Sequence, residues 1–241
     1  METMSGSTET SDSPHPIRWP SPQPWPPQLP PLRLGVLASG NGSNFEAVVQ
    51  ACRSGVIHGQ VSCLVVNRGG CGAQRRAERL GVPCRLVDHR AHPRRQDLDR
   101  RLVEVFAGER SDLLVMAGWM RIVTPVLIDA FPERIVNIHP SLLPSFRGMD
   151  AVGQALAAGV RITGCTAHLV SEEVDAGAIL VQAAVPVLPE DDAASLAERI
   201  HREEHRILPQ AVVLAAARLP QLRDRRAAAA DRSPAAGRPS D

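Results

Sequence analysis

The 241-residue chain carries 27 basic side chains against 26 acidic ones, and every basic one is Arg because Lys is absent. Schiff-base chemistry and a Walker-type phosphate lysine are therefore excluded, and a net charge of +1 argues against a general nucleic-acid or anionic-membrane surface. Tyr is absent and Asn occurs only at 41, 44, 67 and 137, the mark of a genome that avoids Lys, Tyr and Asn codons, so the four Asn are worth locating.

Residues 1 to 32 hold nine of the 21 Pro, interspersed with Ser, Thr and Trp, a composition read as a disordered tail. Strands are predicted at 33–38, 61–66, 84–87, 112–116 and 134–138, with helices at about 44–54, 72–80 and 94–107 between them. That alternation is the signature of a parallel sheet with crossover helices. Two longer strands follow at 162–170 and 178–187, joined by a turn-rich connection short enough for an antiparallel pair. A last helix starts near Asp191 or Asp192, either able to cap it, and runs to about Arg218 with a kink expected at Pro209. The expectation is one α/β domain over 33–218, Rossmann-like, with helices on both faces and an antiparallel C-terminal pair, followed by a disordered Arg/Ala/Pro tail at 219–241. No apolar run reaches the roughly 20 residues that span a bilayer, and no secretory leader pattern opens the chain. A cytoplasmic protein with no membrane or nucleic-acid partner is expected. The five Cys show no C-x-x-C spacing and read as small buried hydrophobes.

In such sheets ligands bind beyond the carboxyl ends of the strands. Ser39-Gly-Asn-Gly-Ser-Asn44 follows the first predicted core strand and opens a helix, where free N–H groups and the helix dipole attract an anion. A phosphate is the natural occupant. The loop lacks the third Gly and the downstream acid of a dinucleotide fingerprint, although Arg68 keeps a 2′-phosphate cofactor among the readings; a ligand-free tight turn is the plain alternative. Asn137 and His139 alternate on one extended segment and so share a face. An amide donor beside an imidazole suits acyl transfer, one group holding an oxyanion and the other moving a proton. Asp175, in the turn after a later strand, would orient and charge that imidazole if the two meet; otherwise it is a solvated turn residue beside Glu172 and Glu173. His201-Arg-Glu-Glu-His205 fits an inverted zinc-protease pattern, but no third ligand follows it, so no metal is expected.

Ser39 to Asn44, Ala117-Gly-Trp-Met-Arg121, Asn137-Ile-His-Pro-Ser-Leu-Leu-Pro144 and Gly164-Cys-Thr-Ala-His168 with Asp175, taken in order, closely resemble phosphoribosylglycinamide formyltransferases over roughly residues 33 to 215. The resemblance implies a fold that binds no dinucleotide, 10-formyltetrahydrofolate as co-substrate, no metal or nucleotide cofactor, and a monomer or homodimer in purine biosynthesis. It places glycinamide ribonucleotide on Gly42, Ser43, Asn44 and Glu204, the folate on Arg95, Met120, Arg121, Ile122, Val123 and Asn137, and catalysis on Asn137, His139 and Asp175. The stretch Arg147-Gly-Met-Asp150 departs from the family pattern. A deformylase of the same fold, releasing formate to water, is the rival activity.

Overall fold

Residues 32–38, 59–66 and 113–116 are near-continuous apolar runs, the pattern of strands buried on both faces of a parallel sheet. In the computed structural model, which describes residues 16–219, they form the centre of an eight-stranded sheet. The strands are β1 (Ile17–Trp19), β2 (Leu32–Ala38), β3 (Gly59–Val66), β4 (Cys84–Leu86), β5 (Leu113–Met116), β6 (Ile135–His139), β7 (Ile162–Leu169) and β8 (Ile179–Pro186). The helices are α1 (Ser43–Arg53), α2 (Gly72–Leu80), α3 (Arg95–Gly108), α4 (Pro125–Ala130), α5 (Ala151–Ala157) and α6 (Ala193–Ala217). The strand order is β1-β8-β7-β6-β5-β2-β3-β4, parallel from β4 through β6 and antiparallel from β6 to β1.

One face of the sheet packs Leu34, Val36 and Leu64 against α1 and α6, where Phe45, Val48, Ile207 and Val212 are buried. The opposite face packs Leu37, Val65 and Leu114 against Leu98, Leu102 and Phe106 of α3 and Leu127 of α4. Phe106 sits on Gly35 so closely that a Cβ there would lie 2.5 Å from its ring, so the helix approaches the strand only because residue 35 lacks a side chain. From β2 the chain winds outward through β3 and β4, then returns to β5 on the other side. The carboxyl ends of β2 and β5 are thus the point where the winding reverses, and a ligand crevice is expected there. Ser39 stitches the two sides, its N–H donating to Gly118 O (3.0 Å) and its Oγ accepting from Met120 N (2.9 Å).

Two expectations change. The Pro-rich segment is not a disordered tail throughout. Ile17–Trp19 pairs antiparallel with β8, Arg18 Nε reaches the buried Glu203 at 2.6 Å, Gln210 donates to Pro20 O at 2.5 Å, and Leu29 is buried in the core. Three residues between two prolines suffice because β8 otherwise presents an open backbone edge and Glu203 a buried charge. Residues 1–15 lie outside the described part of the chain, as do 220–241, while Leu219 is buried and belongs with the folded unit. The last helix spans Ala193–Ala217 with Pro209 inside it, close to the expected bounds. Its start is closed by a capping box in which Asp192 accepts from Ser195 N (2.8 Å) and Ser195 Oγ accepts from Asp192 N (3.1 Å). Finally, α4 and α5 form where no helix is expected from the sequence.

Candidate active site

Gly42 is the N-cap of α1 at φ 80°, and a Cβ there would lie 2.6 Å from Ala73 Cα, so both the left-handed conformation and the packing of α2 require Gly. No side chain caps α1, which leaves its first N–H groups free for an anion. Asn41 serves the scaffold instead: its Oδ1 accepts from Arg76 Nη2 (3.1 Å) and its carbonyl from Arg76 Nε (2.9 Å). Asn44 is buried and donates from Nδ2 to Glu204 Oε2 at 2.7 Å, joining the loop after β2 to α6 across 160 residues of sequence. Its own Oδ1 is buried without a partner. Burial raises the Glu204 carboxyl above the usual range, and Asn44, His201 and His139 only partly offset that.

On β6, Asn137 and His139 do share a face, and the antiparallel register sets His168 of β7 directly opposite Asn137. Asn137 Nδ2 lies 3.1 Å from His168 Nε2 and donates, at 3.4 Å, to Asp175 Oδ1. His168 Nδ1 lies 2.8 Å from Leu169 O, and its Nε2 lies 3.6 Å from Asp175 Oδ1 as well as beside Asn137. Asp175, at φ 52° in the β7–β8 connection, folds back so that Oδ2 lies 3.3 Å from His139 Nδ1 and accepts from Gly148 N at 2.9 Å. Burial would raise its carboxyl, but His168, the Gly148 N–H and His139 outweigh it and hold Asp175 below its ordinary value. His139 Nε2 lies 2.8 Å from Phe146 O. Both ring nitrogens thus face acceptors, which an imidazolium satisfies in full. Asn137, His139 and Asp175 are therefore brought together.

Met120, Arg121 and Ile122 stand exposed on the loop after β5, while Val123 is buried beneath it. Arg95 is exposed in the first turn of α3. Arg147 pairs with Glu173 at 2.6 Å, and Asp150 caps α5 by accepting from Gly153 N, which gives the departing stretch a structural use. The acidic pair of the His201–His205 stretch splits: Glu203 turns to Arg18 and Arg206, Glu204 to Asn44. A cavity of about 420 Å³ between β4 and α3, lined by Arg85, Arg101, Glu104 and Glu109, lies apart from all of these residues and holds none of the groups that acyl transfer needs. His168 ends a motif that carries the family resemblance but has no role assigned from sequence, because strand spacing does not reveal the residue on the strand opposite.

Residues 32–212 match the family model described as formyl transferase. The chain belongs to the formyl transferase family. Within it, the chain is 42% identical over 185 residues to the trifunctional purine biosynthetic protein adenosine-3 of Gallus gallus, a match covering 77% of this chain and 18% of that protein. It is 35% identical to the phosphoribosylglycinamide formyltransferase of Bacillus subtilis, covering 75% of this chain and 92% of the relative. Among solved structures, glycinamide ribonucleotide transformylase 1 from Symbiobacterium toebii superposes with a TM-score of 0.76 at 45% identity, over 78% of this chain and 88% of that one. The chain therefore spans less than a fifth of the trifunctional relatives but most of the single-activity ones. β1 precedes the matched region, so this formyl transferase domain carries a sheet edge outside the part shared with the family.

Proposed function

We propose that this chain transfers the formyl group of 10-formyltetrahydrofolate to the amine of glycinamide ribonucleotide in purine biosynthesis. The observation that carries the reading is that Asp175 lies 3.3 Å from a ring nitrogen of His139, with Asn137 on the same strand face, while the buried Glu204 is bonded to Asn44 of the anion-ready loop. A phosphate held at Gly42, Ser43 and the N-terminus of α1 leaves Glu204 to hold the substrate amine near the imidazole. The folate occupies the loop of Met120 to Val123, with Arg95 beside it. The sequence likeness to single-activity phosphoribosylglycinamide formyltransferases supports the same substrates.

In this mechanism the amine nitrogen attacks the formyl carbon, and its lone pair forms the new C–N bond as the carbonyl becomes a tetrahedral oxyanion. Asn137 gives up its long 3.4 Å bond to Asp175 and donates to that oxygen. His139 exchanges the Phe146 carbonyl for the same oxygen, with Asp175 holding the ring in place at its other nitrogen. Collapse breaks the bond to the folate nitrogen, which receives the proton lost by the amine. No covalent enzyme intermediate forms, and aligning two bound substrates does much of the work. The test is to incubate the full chain with 10-formyltetrahydrofolate, with and without glycinamide ribonucleotide. Folate release that depends on the amine is the expected result, and equal release without it makes the chain a deformylase.

A further inference from the structure

The loop Gly118–Thr124 is tied at both ends. At its start Ser39 holds Gly118 and Met120. At its far end Thr124, the N-cap of α4, makes no capping bond with its own side chain. Its N–H donates at 2.5 Å, and its Oγ1 at 2.8 Å, to one oxygen, Asp99 Oδ2 on α3. Asp99 is 1% exposed, and among the described residues no cation pairs with it. A carboxyl buried without a counter-charge is costly, and capping a six-residue helix does not explain it, since a Ser, Asn or Asp at the N-cap does that locally. Burial pushes the Asp99 carboxyl up, and the two bonds from Thr124 only partly offset this. Asp99 adds a polar lock between α3 and the backbone of the loop to the apolar packing of Leu98 and Leu102 near Trp119 and Val123. Arg95 lies one helical turn before Asp99 on the same face of α3, so what sets α3 against the loop also sets where the Arg95 backbone stands. The side chains between the two ties, Met120 (76% exposed) and Ile122 (47%), project freely from a backbone held at both ends.

We propose that Asp99 is a positioning residue for the folate: through Thr124 it sets the backbone of residues 120–123 and the placement of Arg95 before the co-substrate arrives. This rests on the reading that those residues contact the folate. A backbone preset in its bound shape loses less freedom on binding, so the benefit falls on folate affinity. The amine substrate, on α1 and α6, is not served by this contact.

The experiment is two-substrate steady-state kinetics on the full chain. Asp99→Ala removes both bonds and should raise KM for 10-formyltetrahydrofolate by about tenfold or more, while kcat at saturating folate and KM for glycinamide ribonucleotide stay within about threefold. Asp99→Asn and Thr124→Ser keep an acceptor and a donor and should restore folate KM to within about threefold of the parent. Thr124→Val, which keeps the N–H bond and loses only the hydroxyl, should raise folate KM by about threefold to tenfold and serves if Asp99→Ala does not fold. Unchanged folate KM in Thr124→Val or in a folded Asp99→Ala, or equal rises in both KM values, overturns the assignment while leaving the proposed function standing. A parent chain that does not use the folate overturns both.

Discussion

Glu204 is held in the protein at a cost. It is 3% exposed, its carboxyl is raised chiefly by burial, and Asn44 is its only hydrogen-bond partner among the described residues. A group with a raised folded-state value imposes no penalty below its unfolded value of 4.5, and the penalty grows as pH rises through the folded value. Glu204→Gln keeps the acceptor for Asn44 and removes the charge. Its Tm should exceed that of the parent at pH 8, by about 2–4 °C for each kcal/mol recovered, and the gain should vanish toward pH 4. The same variant should bind glycinamide ribonucleotide more weakly, because it lacks the acid proposed to face the amine. A pH series of melting curves beside KM values checks both, and a Tm gain equal at acidic and alkaline pH would count against it. For Asn137→Ala and His139→Ala the expectation is a loss of about 10²-fold or more in kcat, the scale of a deleted oxyanion donor. A His139→Ala enzyme with near-normal turnover removes the mechanism. His168→Ala strips Asn137 of its 3.1 Å partner and should lower kcat while leaving both KM values near the parent's.

Among the elements, the loop after β2 is the most constrained, because its cap residue serves conformation and packing at once. Gly42→Ala places a Cβ against the backbone of Ala73 at φ 80°, so α2 must move or the loop must change shape. The expected cost is about 1–3 kcal/mol in stability, with a rise in KM for glycinamide ribonucleotide and no comparable change for the folate; unfolding and kinetics measured on one preparation test it. Gly40, where an added Cβ meets nothing within 4 Å, is the control, and its Ala variant should stay close to the parent. Two elements without a sequence signal, α4 and β1, share a physical cause: the N-cap residue of α4, Thr124, is held by Asp99, 25 residues earlier, and β1 is a three-residue strand whose pairing lies on β8. Neither has a periodic pattern long enough to read. The core strands, by contrast, are continuous apolar runs because both their faces are covered, and that pattern survives without knowledge of the partner.

For the molecule as a whole, the segment ahead of the family match acts as a strap. It adds β1 to the sheet edge, places Arg18 on Glu203, buries Leu29 and sets Trp25 edge-on to His58 at 6.3 Å. Removing residues 1–31 exposes Leu29's site and leaves Glu203 with Arg206 alone. Burial of one Leu is worth about 1.5–3 kcal/mol, so the truncated chain should melt at least about 3–6 °C lower. Catalysis at temperatures below the transition should persist, since the strap touches none of the residues around His139. Loss of turnover in a folded truncation would assign the strap a part in the site. No helix among the described residues is long and apolar enough to cross a membrane.

The sequence alone determined a parallel core sheet with crossover helices and a Gly-rich loop after its first core strand, because buried strands and Gly-rich turns leave local patterns, while the strand order and its reversal point came from the structure. It also placed Asn137 beside His139, since residues two apart in a strand share a face. Tertiary structure decided the rest. Asp175 becomes more than a solvated turn residue only because its loop folds back to 3.3 Å from His139, and His168 gains its role only from the register of β7 against β6. Asn44 and Glu204 meet across 160 residues, and Arg18 and Glu203 across 185. The absence of Lys excluded whole chemistries at the outset. What chemistry remained was set by which buried groups came within hydrogen-bonding distance, a property of packing that no local pattern encodes.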